Sequence, residues 1–136
     1  MKFLVVDDEP VSRKKMEMIL SHFGQCETTE TGRKAVDRFH ASLGKGDPFD
    51  LITLDISMPD MDGITALLKI REAERMFWIN SGQGAGKVKI MMVTAHAKKD
   101  IVLNCIKAGA DDYVVKPFDR EIVSGKLQAM GIRPAG

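Results

Sequence analysis

Residues 51–55, Leu-Ile-Thr-Leu-Asp, form an apolar run that ends in a carboxylate. Three more short apolar runs end in a residue that can contact a phosphate or a divalent metal. They are residues 3–6 before Asp7 and Asp8, residues 90–93 before Thr94, and residues 113–115 before Lys116. In an open parallel α/β sheet, ligands bind in the crevice outside the carboxyl ends of the strands. We therefore expect three carboxylates, one hydroxyl and one amine to meet in a single cleft.

Helical periodicity fills the intervals between these strands. Met16 and Leu20 recur at helical spacing after the first strand, and Pro10 suits the first turn of that helix. The polar segment at residues 25–30 suits an edge strand, and Thr31 can cap the helix that follows it. The order is therefore a strand and then a helix, five times. Right-handed crossovers turn this order into a doubly wound, parallel, five-stranded α/β sheet.

The chain is predicted to form one domain over residues 1–130, followed by a frayed C-terminal tail over residues 131–136. Within the domain, we expect the third helix to end near Arg75. Residues 77–87 hold three glycines and the only tryptophan, which predicts a mobile loop. Residues 81–88 approach a phosphate-binding loop, but they run from a helix to a strand, whereas such loops run from a strand to a helix. A nucleotide site is therefore not expected there.

The composition limits the classes of partner. With 20 basic and 19 acidic side chains the formal charge is +1, so nothing indicates general nucleic-acid or membrane binding. The chain starts with a strand-like run rather than a signal sequence, and no apolar stretch reaches the roughly 18 residues of a membrane span. We expect a cytoplasmic protein without direct nucleic-acid or membrane contacts. Cys26 and Cys105 lie outside metal-ligand spacing, which favours two reduced thiols over a disulfide.

Four sequence fragments resemble the response regulator receiver domains of two-component signalling. They are Asp7-Asp8-Glu9, Asp55 with the segment MPDMDG at residues 58–63, Thr94-Ala95, and Lys116-Pro117-Phe118. The resemblance covers about residues 2–130 and implies the flavodoxin-like strand order 2-1-3-4-5. Because the chain ends soon after the fifth helix, it resembles a stand-alone receiver, or else a receiver excised from a hybrid kinase or a larger regulator.

By this resemblance Asp55 is the phosphoacceptor, which takes a phosphoryl group from a phosphohistidine on a sensor histidine kinase or a histidine phosphotransfer protein. Mg²⁺ is the implied cofactor, held directly by Asp8 and Asp55, through water by Asp7, and by the backbone carbonyl of Ser57. The residues themselves favour a hard cation, because clustered carboxylates repel one another and oxygen ligands suit Mg²⁺. The resemblance implies a signalling phosphoacceptor that takes part only in its own phosphorylation and dephosphorylation, and not an enzyme with a separate substrate.

Further roles are implied for the surrounding residues. Lys116 and Thr94 are expected to contact phosphoryl oxygens, and Tyr113 to turn inward as an aromatic switch when Thr94 is drawn toward the phosphoryl group. Ser57 and His96 match positions that tune the dephosphorylation rate. The peptide bond after Lys116 matches a cis proline bond of the family. The expected output is binding of a downstream protein by the surface of the fourth helix, the fifth strand and the fifth helix.

Several alternatives stay open at this stage. Asp7 or Asp8 can simply cap the helix that begins near Pro10, and Tyr113 can be an ordinary half-buried tyrosine. A Mg²⁺-dependent phosphatase of the haloacid dehalogenase type also forms an aspartyl phosphate on an α/β fold. Those enzymes share the pattern Asp-x-Asp, in which a second aspartate follows the nucleophile by two residues. This chain has Ser57 at that position. A degenerate receiver that acts as a phosphate-independent scaffold is disfavoured by the complete set of site residues.

Overall fold

Five parallel strands form one sheet in the computed structural model, which describes residues 1–81 and 87–134. The strands are β1 (Lys2–Val6), β2 (Gln25–Thr29), β3 (Leu51–Asp55), β4 (Lys89–Thr94) and β5 (Asp112–Val115). Their order across the sheet is β2-β1-β3-β4-β5, and every neighbouring pair is parallel. The predicted doubly wound α/β fold and the strand order 2-1-3-4-5 are therefore confirmed.

Helices cover both faces of the sheet. They are α1 (Pro10–Leu20), α2 (Gly32–Gly44), α3 (Gly63–Ser81), α4 (Lys99–Ala108) and α5 (Arg120–Ala129). Alternate strand residues point to opposite faces. Leu4 and Ile52 accordingly join residues of α2, α3 and α4 in one apolar cluster, the α2–α4 core. Phe3 and Met91 join residues of α1 and α5 in a second cluster, the α1/α5 core. The two cores fix the strands in place and align their carboxyl ends.

Local capping signals define how the chain enters its helices from the strand ends. Pro10 occupies the first turn of α1, as predicted. The Thr31 hydroxyl accepts a hydrogen bond from the Lys34 amide at 3.1 Å, which confirms the predicted cap of α2. The Asp119 carboxylate accepts a hydrogen bond from the Ile122 amide at 2.8 Å and caps α5 in the same way. α1 and α5 begin directly after the segments that carry Asp7, Asp8 and Lys116.

The third helix is longer than predicted. α3 spans 19 residues rather than ending near Arg75, so the first part of the expected loop at residues 77–87 is helical. After its first residue α3 contains no glycine or proline. The rings of Phe77 and Trp78, both half-buried, are in edge-to-face contact with centroids 5.2 Å apart. Phe77 also packs against the α2–α4 core, and this packing on an uninterrupted helical stretch outweighs the loop signal. The remaining part of the predicted loop, residues 82–86, lies outside the described residues.

The predicted C-terminal tail is packed where it begins. Ile132 is only 3% exposed, lies in the α1/α5 core, and donates its amide hydrogen to the Leu127 carbonyl at 2.9 Å. The expectation that the chain frays from residue 131 is therefore wrong for its first residues, because burial of an isoleucine stabilises the turn that follows α5. Residues 135–136 lie outside the described residues.

The structure also bears on membrane-spanning helices and on the two cysteines. None of the described helices is both long enough and apolar enough to cross a lipid bilayer. Cys26 and Cys105 are both free thiols, the first half-buried beside α1 and the second buried in α4. Burial raises the pKa of both thiols, so neither is a reactive thiolate at neutral pH.

Candidate functional site

Three carboxylates lie together at the carboxyl edge of the sheet. Asp7 directly follows β1, and Asp55 is the last residue of β3. Because β1 pairs with β3 through Val6 and Leu54, these two strand ends are neighbours. One oxygen atom from each of Asp7, Asp8 and Asp55 lies within 4.8 Å of the other two. Asp7 and Asp55 are each only 4% exposed, whereas Asp8 is exposed, so the cluster opens to solvent on the side of Asp8.

The ammonium group of Lys116 bridges two of these carboxylates. Its Nζ atom lies 3.1 Å from Asp7 Oδ2 and 3.3 Å from Asp55 Oδ2. Lys116 follows β5, and its backbone amide donates a hydrogen bond to the Thr94 carbonyl at the end of β4, at 2.7 Å. The Lys116–Pro117 bond is cis, as the resemblance implied. The fold therefore brings the ends of four strands, and the three predicted carboxylates with the predicted amine, to one place.

The clustering changes the acid–base properties of two groups. Burial and the charge of Asp7 raise the pKa of Asp55 from 3.8 to about 7, and the nearby Lys116 opposes this rise only in part. Burial alone lowers the pKa of Lys116, but its hydrogen bond to Asp7 and the charges of Asp55 and Asp7 outweigh burial and raise it. One paired ammonium thus faces three carboxylates. The site favours an additional cation.

The side chain of Thr94 is engaged with its own loop. Its hydroxyl donates a hydrogen bond to the His96 carbonyl at 2.9 Å and accepts one from the His96 amide at 3.0 Å. Thr94 is buried at the end of β4, next to β3, which is the predicted position. The His96 side chain itself is exposed. The fold thus brings Thr94 to the edge of the site, but the bonds of its hydroxyl link it to the loop after β4 and not to the carboxylates.

Tyr113 and Ser57 occupy the remaining predicted positions. Tyr113 is half-buried in β5 and packs against the α2–α4 core. The Lys126 ammonium lies 4.8 Å from the centroid of the Tyr113 ring and 3.0 Å from an oxygen of Asp112. The Ser57 side chain is exposed, and its backbone amide donates a hydrogen bond to Asp55 Oδ1 at 3.2 Å. Ser57 therefore contacts the cluster through its main chain, whereas Tyr113 contacts Lys126.

The alternative in which Asp7 or Asp8 only caps α1 is not supported. The N-cap position of α1 is Glu9, and its side chain makes no capping hydrogen bond. The Asp7 carboxylate accepts a hydrogen bond from the Glu9 amide at 2.9 Å, but it also pairs with Lys116. A purely local role does not account for a buried carboxylate that contacts Lys116, which follows the edge strand β5.

Sequence reasoning assigned no role to Gly63 and Arg13, which also shape the site. A Cβ atom at Gly63 would lie 2.3 Å from the Asp55 carbonyl oxygen, so only glycine lets α3 begin this close to β3. The Gly63 amide donates a hydrogen bond to the Ile56 carbonyl at 2.7 Å. Arg13 donates a hydrogen bond from α1 to the Asp7 carbonyl at 2.8 Å. The glycine that closes MPDMDG was an available signal, whereas no sequence spacing marks Arg13.

A comparison with protein families decides what kind of domain carries this cluster. The sequence model of the response regulator receiver domain matches residues 3–128. This chain belongs to that family. It is thus a receiver domain of two-component signalling, and the acidic pocket of this receiver, Asp7, Asp8 and Asp55, fits a phosphoacceptor site.

Curated relatives of this receiver differ widely in length. The chemotaxis protein CheY of Pseudomonas aeruginosa is 32% identical over 138 aligned residues, which cover 100% of both chains. CheY of Treponema pallidum is 33% identical, with 95% of this chain and 81% of CheY covered. The hybrid signal transduction histidine kinase L of Dictyostelium discoideum is 34% identical, with 96% of this chain covered. The chain spans all of one relative and only 7% of this kinase.

Solved receiver structures share the fold of this chain. CheY in the CheX-CheY complex from Borrelia burgdorferi, which contains BeF3 and Mg²⁺, superposes with a TM-score of 0.81 at 29% identity, over 98% of this chain and 90% of that one. The receiver domain of the histidine kinase CKI1 from Arabidopsis thaliana, complexed with Mg²⁺ and BeF3⁻, gives a TM-score of 0.78 at 26% identity, over 96% and 89%. The likeness extends over nearly the whole receiver.

Proposed function

We propose that this receiver takes a phosphoryl group from a phosphohistidine onto Asp55 in a two-component phosphorelay, and that phosphorylation switches a protein-interaction surface. The observation that carries the proposal is the contact of Lys116 Nζ with both Asp55 and Asp7 inside the strand-end pocket. A nucleophilic carboxylate and a preplaced positive charge then lie about one hydrogen-bond length apart, which is the arrangement that phosphoryl transfer requires.

The chain's own residues account for the transfer step. A carboxylate oxygen of Asp55 bonds to phosphorus while the bond from phosphorus to the histidine nitrogen breaks, and the departing imidazole keeps the electron pair and takes up a proton. Asp55 reacts as the carboxylate, and Lys116 favours that form against the effects of burial and of Asp7. The Lys116 ammonium already touches an Asp55 oxygen, so it is placed to contact a phosphoryl oxygen carried by that residue.

The carboxylate cluster suits Mg²⁺, a hard cation that prefers oxygen ligands. Its three oxygens within 4.8 Å and the excess of carboxylates over paired ammonium groups fit such an ion. We assign Asp8 and Asp55 as direct ligands, Asp7 as a ligand through water, and the carbonyl of Ser57 as a main-chain ligand. When bound, the ion neutralises negative charge on the phosphoryl oxygens. The Mg²⁺ in the structures of CheY from Borrelia burgdorferi and of the CKI1 receiver supports this assignment.

The switch is proposed to begin at Thr94. In the structure its hydroxyl donates a hydrogen bond to the His96 carbonyl. A phosphoryl oxygen at Asp55 is a charged acceptor, and hydrogen bonds to charged acceptors are stronger than those to a neutral carbonyl. Phosphorylation therefore draws the Thr94 hydroxyl away from its loop. The loop then moves, and Tyr113 turns inward from its half-buried position. The exposed side chains of Ser57 and His96 lie at positions that we expect to tune the rate of dephosphorylation.

The partners follow from this scheme. Upstream we propose a sensor histidine kinase or a histidine phosphotransfer protein, and downstream a protein target, with no direct nucleic-acid or membrane contact and a cytoplasmic location. The downstream surface comprises α4, β5 and α5, which expose the apolar side chains of Leu103, Ile106, Val115 and Ile122. The receiver is a signalling phosphoacceptor rather than an enzyme, because the group it modifies is its own Asp55.

The test is intact-mass measurement after incubation with acetyl phosphate, with and without Mg²⁺. Wild-type protein should gain one phosphoryl group only in the presence of Mg²⁺, and Asp55→Asn should gain none. Asp8→Ala should need more Mg²⁺ than wild type for half-maximal labelling, because it loses a direct ligand. Labelling of Asp55→Asn to the wild-type extent would remove Asp55 as the acceptor. A wild-type protein that neither labels nor binds beryllofluoride would favour the scaffold alternative.

A further inference from the structure

Residues 56–62 form the loop between β3 and α3. Its tip, Asp60 and Met61, is attached to the N-terminus of α2 by the side chain of Asp60. Asp60 Oδ1 accepts a hydrogen bond from the Gly32 amide at 3.2 Å, and Asp60 Oδ2 accepts one from the Arg33 amide at 3.0 Å. Amides in the first turn of a helix lack partners within the helix and lie at the positive end of its dipole. Asp60 therefore satisfies two such amides from a distant part of the chain, and both of its oxygens are used.

Close packing reinforces this attachment. A Cβ atom at Gly32 would lie 3.0 Å from the Met61 carbonyl oxygen and 3.1 Å from Met61 Cβ. The start of α2 thus lies against the main chain of the loop tip, with room for a hydrogen atom but little more. Met58, earlier in the same loop, is buried in the α2–α4 core. The tip is held both by hydrogen bonds and by direct contact with α2.

The same loop borders the phosphoacceptor. The Ser57 amide donates a hydrogen bond to Asp55 Oδ1 at 3.2 Å, and the Gly63 amide closes the loop on the Ile56 carbonyl at 2.7 Å. The orientation of the Asp55 carboxylate and of the Ser57 main chain therefore depends on the path of the loop between Ile56 and its tip. A side chain that fixes the tip acts on both groups without touching either one.

We infer that Asp60 is a positioning residue that, by holding the loop tip on α2, keeps Asp55 and Ser57 in the geometry that binds a divalent cation. The identity of the cation rests on the proposed function. Asp60 itself is not assigned as a ligand, because each of its oxygens accepts an α2 amide. Thr31 provides a matched comparison. It caps the same helix end through a bond to Lys34, within α2.

The experiment is a Mg²⁺ titration of the full chain followed by two-dimensional ¹H–¹⁵N NMR at the Ser57 and Gly63 amides. Residues that orient metal ligands typically contribute about 10- to 100-fold to metal affinity, and we expect Asp60→Ala to raise the Mg²⁺ dissociation constant about tenfold. Asp60→Asn keeps an acceptor oxygen and should recover part of the loss. Thr31→Ala should lower the melting temperature as a lost cap does, yet change the dissociation constant less than about twofold.

A second variant separates position from charge. Gly32→Ala places a methyl group against the Met61 carbonyl and displaces the loop tip, although the chain keeps all of its carboxylates. We expect it to weaken Mg²⁺ binding as Asp60→Ala does. If Asp60→Asn is as weak as Asp60→Ala and Gly32→Ala binds like wild type, the effect is one of charge and the positioning role is overturned.

Three other results would also overturn it. The positioning role alone fails if wild-type protein binds Mg²⁺ and Asp60→Ala binds it within twofold of wild type, or if Thr31→Ala weakens binding equally. If wild-type protein shows no Mg²⁺-dependent shifts at these amides, the proposed metal site fails together with it. The two failures are therefore distinguished by the wild-type titration.

Discussion

The Nζ atom of Lys116 lies 3.3 Å from Asp55 Oδ2, although the two residues are 61 positions apart in the chain. The contact joins the end of β5 to the end of β3 across the intervening β4. The Lys116 side chain is partly buried, and the Asp55 side chain is almost fully buried. Such a pair is screened less by solvent than a surface ion pair. Its loss should therefore be measurable at Asp55.

The first prediction concerns this pair. Lys116→Met removes the positive charge that opposes the effects of burial and of Asp7 on Asp55, so the pKa of Asp55 should rise above its value of about 7. A ¹³C NMR titration of the aspartate carboxyl groups without Mg²⁺ measures it. Lys107→Met, which changes an exposed lysine of α4, is the control and should leave the titration unchanged. An Asp55 pKa that stays the same in Lys116→Met would contradict the assigned contact.

The second prediction concerns stability and pH. The folded pKa of Asp55, about 7, exceeds its ordinary value of 3.8, so the folded state binds this proton more tightly than the unfolded state. The associated stability is complete below about pH 4 and is lost as the pH rises toward and through 7. A shift of this size corresponds to at most about 4 kcal/mol. Asp55→Asn does not ionise and should escape the loss.

Urea unfolding without Mg²⁺ at several pH values tests this second prediction. We expect the free energy of unfolding of Asp55→Asn to exceed that of wild type by about 2 kcal/mol at pH 8 and by much less at pH 5. The difference at pH 8 stays below the maximum because Lys116 loses one of its two partners in the variant. Asp37→Asn, an exposed carboxylate of α2, serves as the control and should show no such pH dependence. A difference that grows as the pH falls would show that the sign is wrong.

The third prediction uses two glycines in different surroundings. A methyl group at Gly63 would meet the Asp55 carbonyl at 2.3 Å and Ile56 Cα at 2.7 Å, whereas a Cβ at Gly125 in α5 meets nothing within 4 Å. Gly63→Ala should therefore lower the free energy of unfolding by about 3 kcal/mol through overpacking. Gly125→Ala should raise it by about 0.5–1 kcal/mol through helix propensity. Urea unfolding measures both. Equal effects of the two substitutions would contradict the close approach of α3 to β3.

The fourth prediction concerns Tyr113, the only tyrosine in the chain. The Lys126 ammonium lies over its ring and is paired with Asp112. A cation over an aromatic face contributes about 0.5–1 kcal/mol at exposed sites, or about a 2- to 5-fold change in a population ratio. Lys126→Met should therefore let the Tyr113 ring move toward the inward position that we propose for the phosphorylated protein. With 3-fluorotyrosine at this single site, its ¹⁹F resonance should shift toward the position seen with beryllofluoride and Mg²⁺.

Two comparisons bound this fourth prediction. Lys107→Met removes another lysine near the same surface and should leave the fluorine resonance where wild type has it. A Lys126→Met resonance identical to wild type would show that the ammonium does not hold the ring. A shift away from the beryllofluoride position would show that Lys126 favours the activated arrangement instead.

The sequence predicted the parts of the site that depend on strand ends. Asp7, Asp55, Thr94 and Lys116 each follow or end an apolar run, and parallel pairing places such residues at one edge whatever the details of packing. The order of strands came from the resemblance, because periodicity alone does not determine which strands are neighbours. The capping residue Thr31 was predicted because a cap is a local feature that depends on a few consecutive residues.

The features that were not predicted depend on side-chain contacts that the periodicity of strands and helices does not encode. Nothing in the sequence shows that the Thr94 hydroxyl bonds the His96 main chain, or that Asp60 binds amides of α2. The length of α3 was underestimated because packing of Phe77 and Trp78 favours helix where composition favoured a loop. Ile132 was assigned to a frayed tail because its burial depends on the α1/α5 core. Asp60 and Ile132 bind or pack against distant parts of the chain, which no local signal encodes.

Locating the phosphoryl group on the chain tests directly whether Asp55 is the acceptor. The protein is incubated with acetyl phosphate and Mg²⁺ and then treated with borohydride, which reduces an acyl phosphate to an alcohol, and the altered residue is identified by peptide mass spectrometry. We expect one altered residue, at Asp55, whose alteration depends on Mg²⁺ and is missing without the phosphodonor. Reduction at Asp7 or Asp8 instead, or a phosphoryl adduct that borohydride leaves intact, would contradict this expectation.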